Sequence, residues 1–364
     1  MMNTKDISYL QMAYALAEKA KGWSSPNPYV GALIVKKDVI IGHGYHEKPG
    51  TPHAEIIAIE KAGSSARDAT AYITLEPCTH WGRTPPCVDR LIEARLKRVV
   101  ISSLDPNPVV FKKGVKKLRE AGIEVSVGLL KEKNDELNEV YIKYITRNLP
   151  FVTAKVATSL DGKIATREFD SKWISSPRTR EYVHLLRGEY SSLMVGVNTI
   201  LKDDPLLTVR HPHWKGKHLF RIVLDSHLRF PLKAKILETL EEGKIFIFTL
   251  SNASQEKADL LREKGVEVIP LGNFKIEIKK VLSSLANKGI SSVLVEGGGR
   301  VLTSFLEEKA IDKIYVSISP KLIGGEKALT FFEGEGVRFV RDSLKLRKMN
   351  WYDLDEEIIV EGYF

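Results

Sequence analysis

The sequence predicts two α/β domains in succession. Its 364 residues are enough for two ordinary domains. Strand-like apolar runs alternate with helix-like stretches in both halves, the mark of layered α/β architecture. That alternation restarts after Asn148-Leu149-Pro150, with no internal repeat relating the halves, so the domains are placed at residues 1–147 and 148–364.

In the first half, Asp6 to Lys21 reads as an opening helix, because Ile7, Leu10, Ala13, Leu16 and Ala17 recur at helical spacing. Ser24 to Pro28 breaks it. Tyr29 to Val35 and Val39 to Gly44 flank the polar turn Lys36-Lys37-Asp38 and predict a hairpin. A helix from His53 follows, then a strand at Ala71 to Leu75, and a helix for which Pro86 presets the first position. Arg98 to Ile101 is a strand, Val115 to Ala121 a helix, Ile123 to Val127 a short strand, and Lys131 to Arg147 a polar helix.

The second half offers strands at Phe151 to Thr158, Ser192 to Val197, Arg221 to Leu224, Lys244 to Thr249, Gly265 to Ile269 and Ser291 to Val295. Ser175-Ser176-Pro177 ahead of Arg178 to Arg187 is a helix start, with serine as cap and proline inside. Leu294-Val295-Glu296 runs into Gly297-Gly298-Gly299 and a helical stretch. Glycines at a strand-to-helix turn make either a phosphate seat or only a tight connection, and the spacing is not that of a dinucleotide-binding Rossmann unit.

Hydrophobic content of 43% and charge of 28% are those of a soluble globular chain. No apolar run approaches the roughly 20 residues of a membrane span, and no leader is apparent at the N-terminus, so a cytoplasmic protein without membrane attachment is expected. The net charge of +9 suits anionic partners, either nucleic acid or phosphorylated metabolites. Aromatic residues interleaved with basic ones, as single-strand binding needs, are lacking.

The most informative residues are His53-Ala54-Glu55, Pro77-Cys78 and Pro86-Cys87, the last two holding the only cysteines. A catalytic zinc takes three protein ligands and leaves the fourth position to water; His53, Cys78 and Cys87 are that set. The metal lowers the water's pKa to roughly 7, and a glutamate that is not a ligand carries the protons, which is the role expected of Glu55. Two readings compete. The cysteines are either small buried hydrophobes or a disulfide, the latter disfavoured in a reducing cytosol. Residues 79–86 separate Cys78 from Cys87, where the general zinc-deaminase motif has two residues, and His80 within that insertion is a rival ligand.

The whole chain resembles the bifunctional riboflavin-biosynthesis deaminase/reductases. The resemblance rests on Asn27-Pro28-Tyr29-Val30-Gly31, Gly42-His43-Gly44-Tyr45-His46, His53-Ala54-Glu55 and Pro77-Cys78 through Gly82-Arg83-Thr84-Pro85-Pro86-Cys87, whose long cysteine spacing is this family's own. Later it rests on Ser159-Leu160-Asp161-Gly162-Lys163, Trp173-Ile174-Ser175-Ser176, Asp203-Asp204-Pro205-Leu206-Leu207-Thr208-Val209-Arg210 and Val295-Glu296-Gly297-Gly298.

The resemblance implies a cytidine-deaminase-like α/β/α domain holding Zn2+, followed by a dihydrofolate-reductase-like α/β domain using NADPH. It implies nicotinamide-cofactor contacts at Thr158, Trp173, Thr199, Asp203, Ser226 and the segment Gly298, Gly299, Arg300, Val301, Leu302, Thr303, Ser304. Substrate contacts are implied at Asn27, His46, Lys155, Ser171, Arg187, Leu207, Arg210 and Glu296. Lys155 could equally be an exposed strand lysine, and Arg187 either a phosphate fork or a cation opposing a helix dipole. The implied substrate is 2,5-diamino-6-ribosylamino-4(3H)-pyrimidinone 5′-phosphate, deaminated by zinc-held hydroxide and then reduced to a ribityl compound. A homo-oligomer that binds no nucleic acid is expected. Two alternatives are a nucleobase deaminase acting on RNA or single-stranded DNA, and a structural zinc protein.

Overall fold

The computed structural model describes residues 4–81 and 85–364; Gly82, Arg83 and Thr84 of the motif quoted above lie outside the described residues. The chain divides into two compact units, Met1–Asn148 and Leu149–Phe364.

In the first unit, α1 (Thr4–Ala17) leads into β1 (Gly31–Lys36), β2 (Val39–Tyr45), α2 (Ala54–Ala62), β3 (Thr70–Leu75), α3 (Cys87–Glu93), β4 (Arg98–Ser103), α4 (Lys113–Glu120), β5 (Glu124–Val127), α5 (Lys131–Leu137) and α6 (Glu139–Arg147). The sheet runs β2-β1-β3-β4-β5. The hairpin pairs antiparallel, β1 runs antiparallel to β3, and the β3, β4 and β5 ladders are parallel. Ala32, Ile34, Ala71, Ile73, Val99 and Ile101 bury one face of the sheet with Ala54, Ala58, Val88, Leu91 and Leu118 from the helices. Gly42 and Gly44 allow α2 to lie close on β2: a Cβ at Gly42 would stand 2.1 Å from the carbonyl oxygen of Ala58, and one at Gly44 2.6 Å from that of Ala54.

Two expectations are corrected. Pro86 is the residue before the α3 helix, with ψ 128°, so Cys87 is the first helical residue. The stretch from Lys131 to Arg147 is two helices, because Asn138 leaves the helical path and turns its side chain to the Tyr29 backbone, accepting from its N–H at 2.7 Å and donating to its carbonyl at 3.1 Å.

The other sheet face is tied to α1 by a buried charge. Asp6, 2% exposed, accepts from Arg98 Nη1 and Nη2 at 2.9 and 2.8 Å and from the Tyr72 hydroxyl at 2.9 Å. Burial alone would raise its carboxyl pKa, but Arg98 and Tyr72 outweigh that and lower it. Asp6→Ala removes three side-chain bonds and leaves Arg98 paired only with the exposed Glu124, so the first unit should lose about 1.5–3 kcal/mol, read as a lower urea midpoint of that unit's transition. An unchanged midpoint would show that the pair contributes nothing.

The second unit contains β6 (Phe151–Ser159), β7 (Lys163–Ala165), α7 (Pro177–Glu189), β8 (Ser192–Gly196), α8 (Val197–Asp203), β9 (Phe220–Leu224), β10 (Ile245–Thr249), α9 (Gln255–Glu263), β11 (Glu267–Pro270), α10 (Ile278–Asn287), β12 (Ser292–Val295), α11 (Gly299–Glu307), β13 (Lys313–Ser319), β14 (Leu329–Thr330), β15 (Lys348–Leu354) and β16 (Glu357–Tyr363). Its large sheet runs β11-β10-β9-β8-β12-β6-β13-β16-β15, with β7 and β14 paired apart. The ladders are parallel from β11 to β13, and β16 and β15 then add antiparallel. Helices cover both faces over two apolar layers, one around Leu193, Val223 and Ile247, the other around Val152, Met194 and Phe305. The serine cap is as expected: Ser176 Oγ accepts the Thr179 N–H at 3.1 Å, with Pro177 opening α7.

Candidate active sites

A strand end and two helix starts assemble the first site. His53 precedes the first turn of α2, Glu55 lies within that turn, Cys78 follows β3 and Cys87 begins α3. His53 Nδ1 lies 3.1 Å from Cys87 Sγ and 3.7 Å from Cys78 Sγ. These three ligand atoms lie within 4.8 Å of one another. The Cys87 backbone N–H also donates to Cys78 Sγ at 3.4 Å. Hydrogen bonding from Cys87, then from His53, pulls the Cys78 thiol down to about 4, while the bond to Cys78 and burial push Cys87 up. A soft N/S/S donor set of this size fits zinc. His80 is exposed and stands outside the cluster found among the described residues.

Glu55 is buried, which raises its carboxyl pKa against the opposing pull of His53. It opens with His53 and Cys78 onto a cavity of about 390 Å³. Asn27 and His46 line the same cavity. His46 Nδ1 faces the Pro52 carbonyl at 3.3 Å, so the proton belongs on Nδ1 and Nε2 accepts from Asn27 Nδ2 at 2.9 Å. Burial lowers the His46 pKa, and its ring meets the His53 ring edge-on at 5.1 Å.

Among the lining residues that sequence reasoning missed are Asp105, Asn107 and Tyr141. Asp105 Oδ1 accepts from the Tyr141 hydroxyl and the Asn107 N–H, both at 2.9 Å, and burial pushes its carboxyl up to about 6. Asp105-Pro106-Asn107-Pro108 is a turn-rich stretch, and its only local signal was two polar side chains straight after a strand. Glu76 accepts backbone N–H groups of Asp105, Lys112 and Val115 at 3.3, 3.0 and 3.1 Å. It thereby joins the end of β3 to the Asp105 loop and the start of α4.

The second constellation lies beyond the ends of parallel strands. Register pairs Val295 with Ala154, which sets Glu296 beside Lys155. Arg187 gives Nε and Nη2 to the Glu296 carboxylate, both at 2.8 Å, and Nη1 to the Thr208 carbonyl at 3.2 Å. The fork expected to take a phosphate is thus closed on a carboxylate. Arg210 is exposed; its Nη1 donates to Thr208 Oγ1 at 3.2 Å and its backbone N–H to His184 Nδ1 at 3.2 Å. Lys155 is half-buried, against the exposed-lysine alternative, and burial lowers its pKa while Glu296 opposes the shift. Leu207 is buried at φ 53° in the loop between Asp203 and Arg210.

The residues expected at the cofactor fall into smaller groups. Ser171 and Trp173 share one loop, and Lys172 Nζ stands 3.6 Å from Asp203 Oδ1 at the end of α8, the helix that also carries Thr199. Gly298 is the cap residue of α11, with no side-chain cap bond and open space where a Cβ would be. Gly196, likewise without a side-chain cap, precedes α8, and a Cβ there would stand 2.8 Å from Val301. Two glycine-capped helix starts this close together fit the phosphates of a dinucleotide. Arg300 to Ser304 follow in α11, where Leu302 and Thr303 are buried. Thr158 donates to the Lys163 carbonyl at 3.2 Å, and the Ser226 carbonyl accepts from the Leu250 N–H at 3.2 Å; neither contact links them to the α11 start.

Comparison with known proteins agrees in both units. Residues 3–103 match the family model for the cytidine and deoxycytidylate deaminase zinc-binding region, and residues 150–360 match that for the RibD C-terminal domain. The chain is 48% identical over 360 residues to the riboflavin biosynthesis protein RibD of Aquifex aeolicus, covering 99% of each chain. A solved Thermotoga maritima diaminohydroxyphosphoribosylaminopyrimidine deaminase/5-amino-6-(5-phosphoribosylamino)uracil reductase is 38% identical, with TM-score 0.87 and 99% of each chain covered. Acinetobacter baumannii RibD is 36% identical, with the same TM-score and coverage. Among the described residues no helix is long and apolar enough to cross a membrane.

Proposed function

The chain belongs to the RibD family and is a bifunctional enzyme of riboflavin biosynthesis, a zinc-dependent deaminase joined to an NADPH-dependent reductase; from that premise we propose its substrate and the residues that serve each reaction. The deaminase occupies residues 1–147 and the reductase residues 148–364. The substrate is the diaminopyrimidinone ribosyl 5′-phosphate, and the observation that carries this reading is the convergence of His53, Cys78, Cys87 and Glu55 on one cavity of about 390 Å³, a volume suited to a small ligand.

His53, Cys78 and Cys87 hold zinc, which when bound makes a water acidic enough to lose its proton near neutral pH. Glu55 accepts that proton and passes it to the ring nitrogen beside the carbon under attack, then takes the remaining proton of the added hydroxyl and gives it to the amino group, whose bond to carbon breaks as it leaves as ammonia. Its buried carboxyl, with a raised pKa, suits a group that must both take and give protons. Asn27 and His46 hold the ring from one side, and Asp105 and Asn107 from the other.

In the reductase, NADPH supplies the hydride that opens the ribose to a ribityl chain. Thr158, Trp173, Thr199, Asp203, Ser226 and Gly298 to Ser304 hold the cofactor. Lys155, Ser171, Leu207, Arg210 and Glu296 hold the sugar phosphate, with Arg187 fixing Glu296 and Arg210 open to the anion.

The enzyme works in the cytoplasm, where both cysteines stay reduced as the ligand set requires, and on a small molecule rather than nucleic acid. It is a homo-oligomer, a reading supported by exposed Met349 and Trp351 on the sheet-edge strand β15. The test is one reaction containing zinc-loaded protein, the diaminopyrimidinone ribosyl phosphate and NADPH, with ammonia and NADPH followed together. Both signals are expected. Neither signal from folded, metal-replete protein would sink the substrate assignment and favour an RNA or single-stranded DNA deaminase.

A further inference from the structure

Trp173 is 61% exposed, yet its backbone and one face of its ring are held in place. Lys321 Nζ donates to the carbonyl oxygens of Trp173 and Ile174 at 2.6 and 2.9 Å. Arg180, in the first turn of α7, sets its guanidinium 4.5 Å from the indole centroid and donates Nη1 to the Ser175 carbonyl at 2.6 Å. Lys321 is itself anchored. Its carbonyl accepts the Leu160 N–H at 2.8 Å, and Ile323 and Gly324 donate their N–H groups to the Asp161 carboxylate at 3.0 and 2.7 Å. Asp161 is fixed in turn by the Ser159 hydroxyl at 2.6 Å.

A large ring left in solvent normally samples several rotamers, and ordering it on binding costs roughly 0.5–1.5 kcal/mol. Here a cation covers one face of the indole and a second cation holds the peptide that carries it. The residue as a whole remains 61% exposed, on a loop whose Lys172 reaches Asp203. We propose that Lys321 and Arg180 are positioning residues that hold Trp173 in advance as a wall for the nicotinamide cofactor. This rests on the reading of Trp173 as a cofactor contact. Neither residue touches the reacting atoms; both act through the indole.

The experiment uses the full-length, zinc-loaded protein and NADPH as the probe, with binding measured by calorimetry. Anisotropy of Trp173, isolated as the difference between wild-type and Trp173→Ala emission, is measured without cofactor. Lys321→Met should raise the Kd for NADPH about fivefold, as expected for two lost charge-assisted bonds partly screened by solvent. It should also lower the Trp173 anisotropy, and raise KM for NADPH with kcat held within about twofold. Lys321→Arg should bind like wild type. Arg180→Met should follow Lys321→Met, and Lys321→Met should add nothing in the Trp173→Ala background.

If Trp173→Ala weakens NADPH binding but Lys321→Met and Arg180→Met bind and depolarise like wild type, the positioning role is overturned and the cofactor reading stands. If Lys321→Met weakens binding equally with and without Trp173, the lysine acts by another route and the inference is overturned. If Trp173→Ala itself binds NADPH normally, the cofactor assignment of Trp173 fails and takes the inference with it.

Discussion

Glu55→Gln is expected to lower ammonia release by roughly 10²–10⁴-fold, the contribution of a positioned general acid/base, with zinc content and fold intact. The amide fills the same buried volume in the first turn of α2 and keeps an oxygen that can accept from Cys87, as the carboxylate does. What it removes is the only change the mechanism asks of that side chain, gain and loss of a proton. Supplied with the deaminated intermediate, the variant should oxidise NADPH at the wild-type rate, because Glu55 takes no part in that reaction. Since burial raises its pKa above 4.5, the acid limb of the wild-type deaminase profile should lie above the usual carboxylate range and be absent from the variant. Ammonia release within about tenfold of wild type would remove Glu55 from the proton path.

Glu296→Gln should cost the second unit about 3–5 kcal/mol and abolish most NADPH oxidation, since breaking a buried pair strands its partner charges. Those partners are Arg187 and Lys155. Burial pushes the Glu296 carboxyl up, but Arg187, with help from Lys155, outweighs burial and holds it at about 2. The folded value is thus below the ordinary 4.5, so the pair's stabilisation is complete above that pH and fades as pH falls towards 2. The difference in urea midpoint between wild type and variant should therefore be constant near neutrality and shrink below about pH 4.5. Equal midpoints at pH 7 would show that the pair contributes nothing to the fold. Ammonia release, carried by the first unit, should be unaffected.

What was legible in the sequence was local. His53-Ala54-Glu55 and the two Pro-Cys pairs are short signals whose chemistry is written in the residue types, and the helix start at Ser176-Pro177 is a capping rule. The missing parts of the sites come from pairings across long stretches of chain. Asp105 acquires meaning only when Tyr141 folds onto it, and Arg187 is turned from phosphate to carboxylate by Glu296, 109 residues further along the chain. The antiparallel strands β16 and β15 were not anticipated either. Lys348 to Leu354 carries no clean apolar alternation, because as an edge strand it is exposed along nearly its whole length.

Glu76 has a consequence for how metal and fold are coupled. Its carboxylate fastens three backbone amides next to the Cys78 turn, and the apolar layer of that unit closes around residues such as Ile34, Ile73 and Leu118 without using the ligands. Folding free energy and metal affinity are therefore largely separate quantities here, unlike a small zinc finger, which collapses when its ion is removed. Zinc is therefore expected to be removable from a finished unit: substitutions among His53, Cys78 and Cys87 should change how full the site is, and substitutions in the apolar layer whether there is a site to fill.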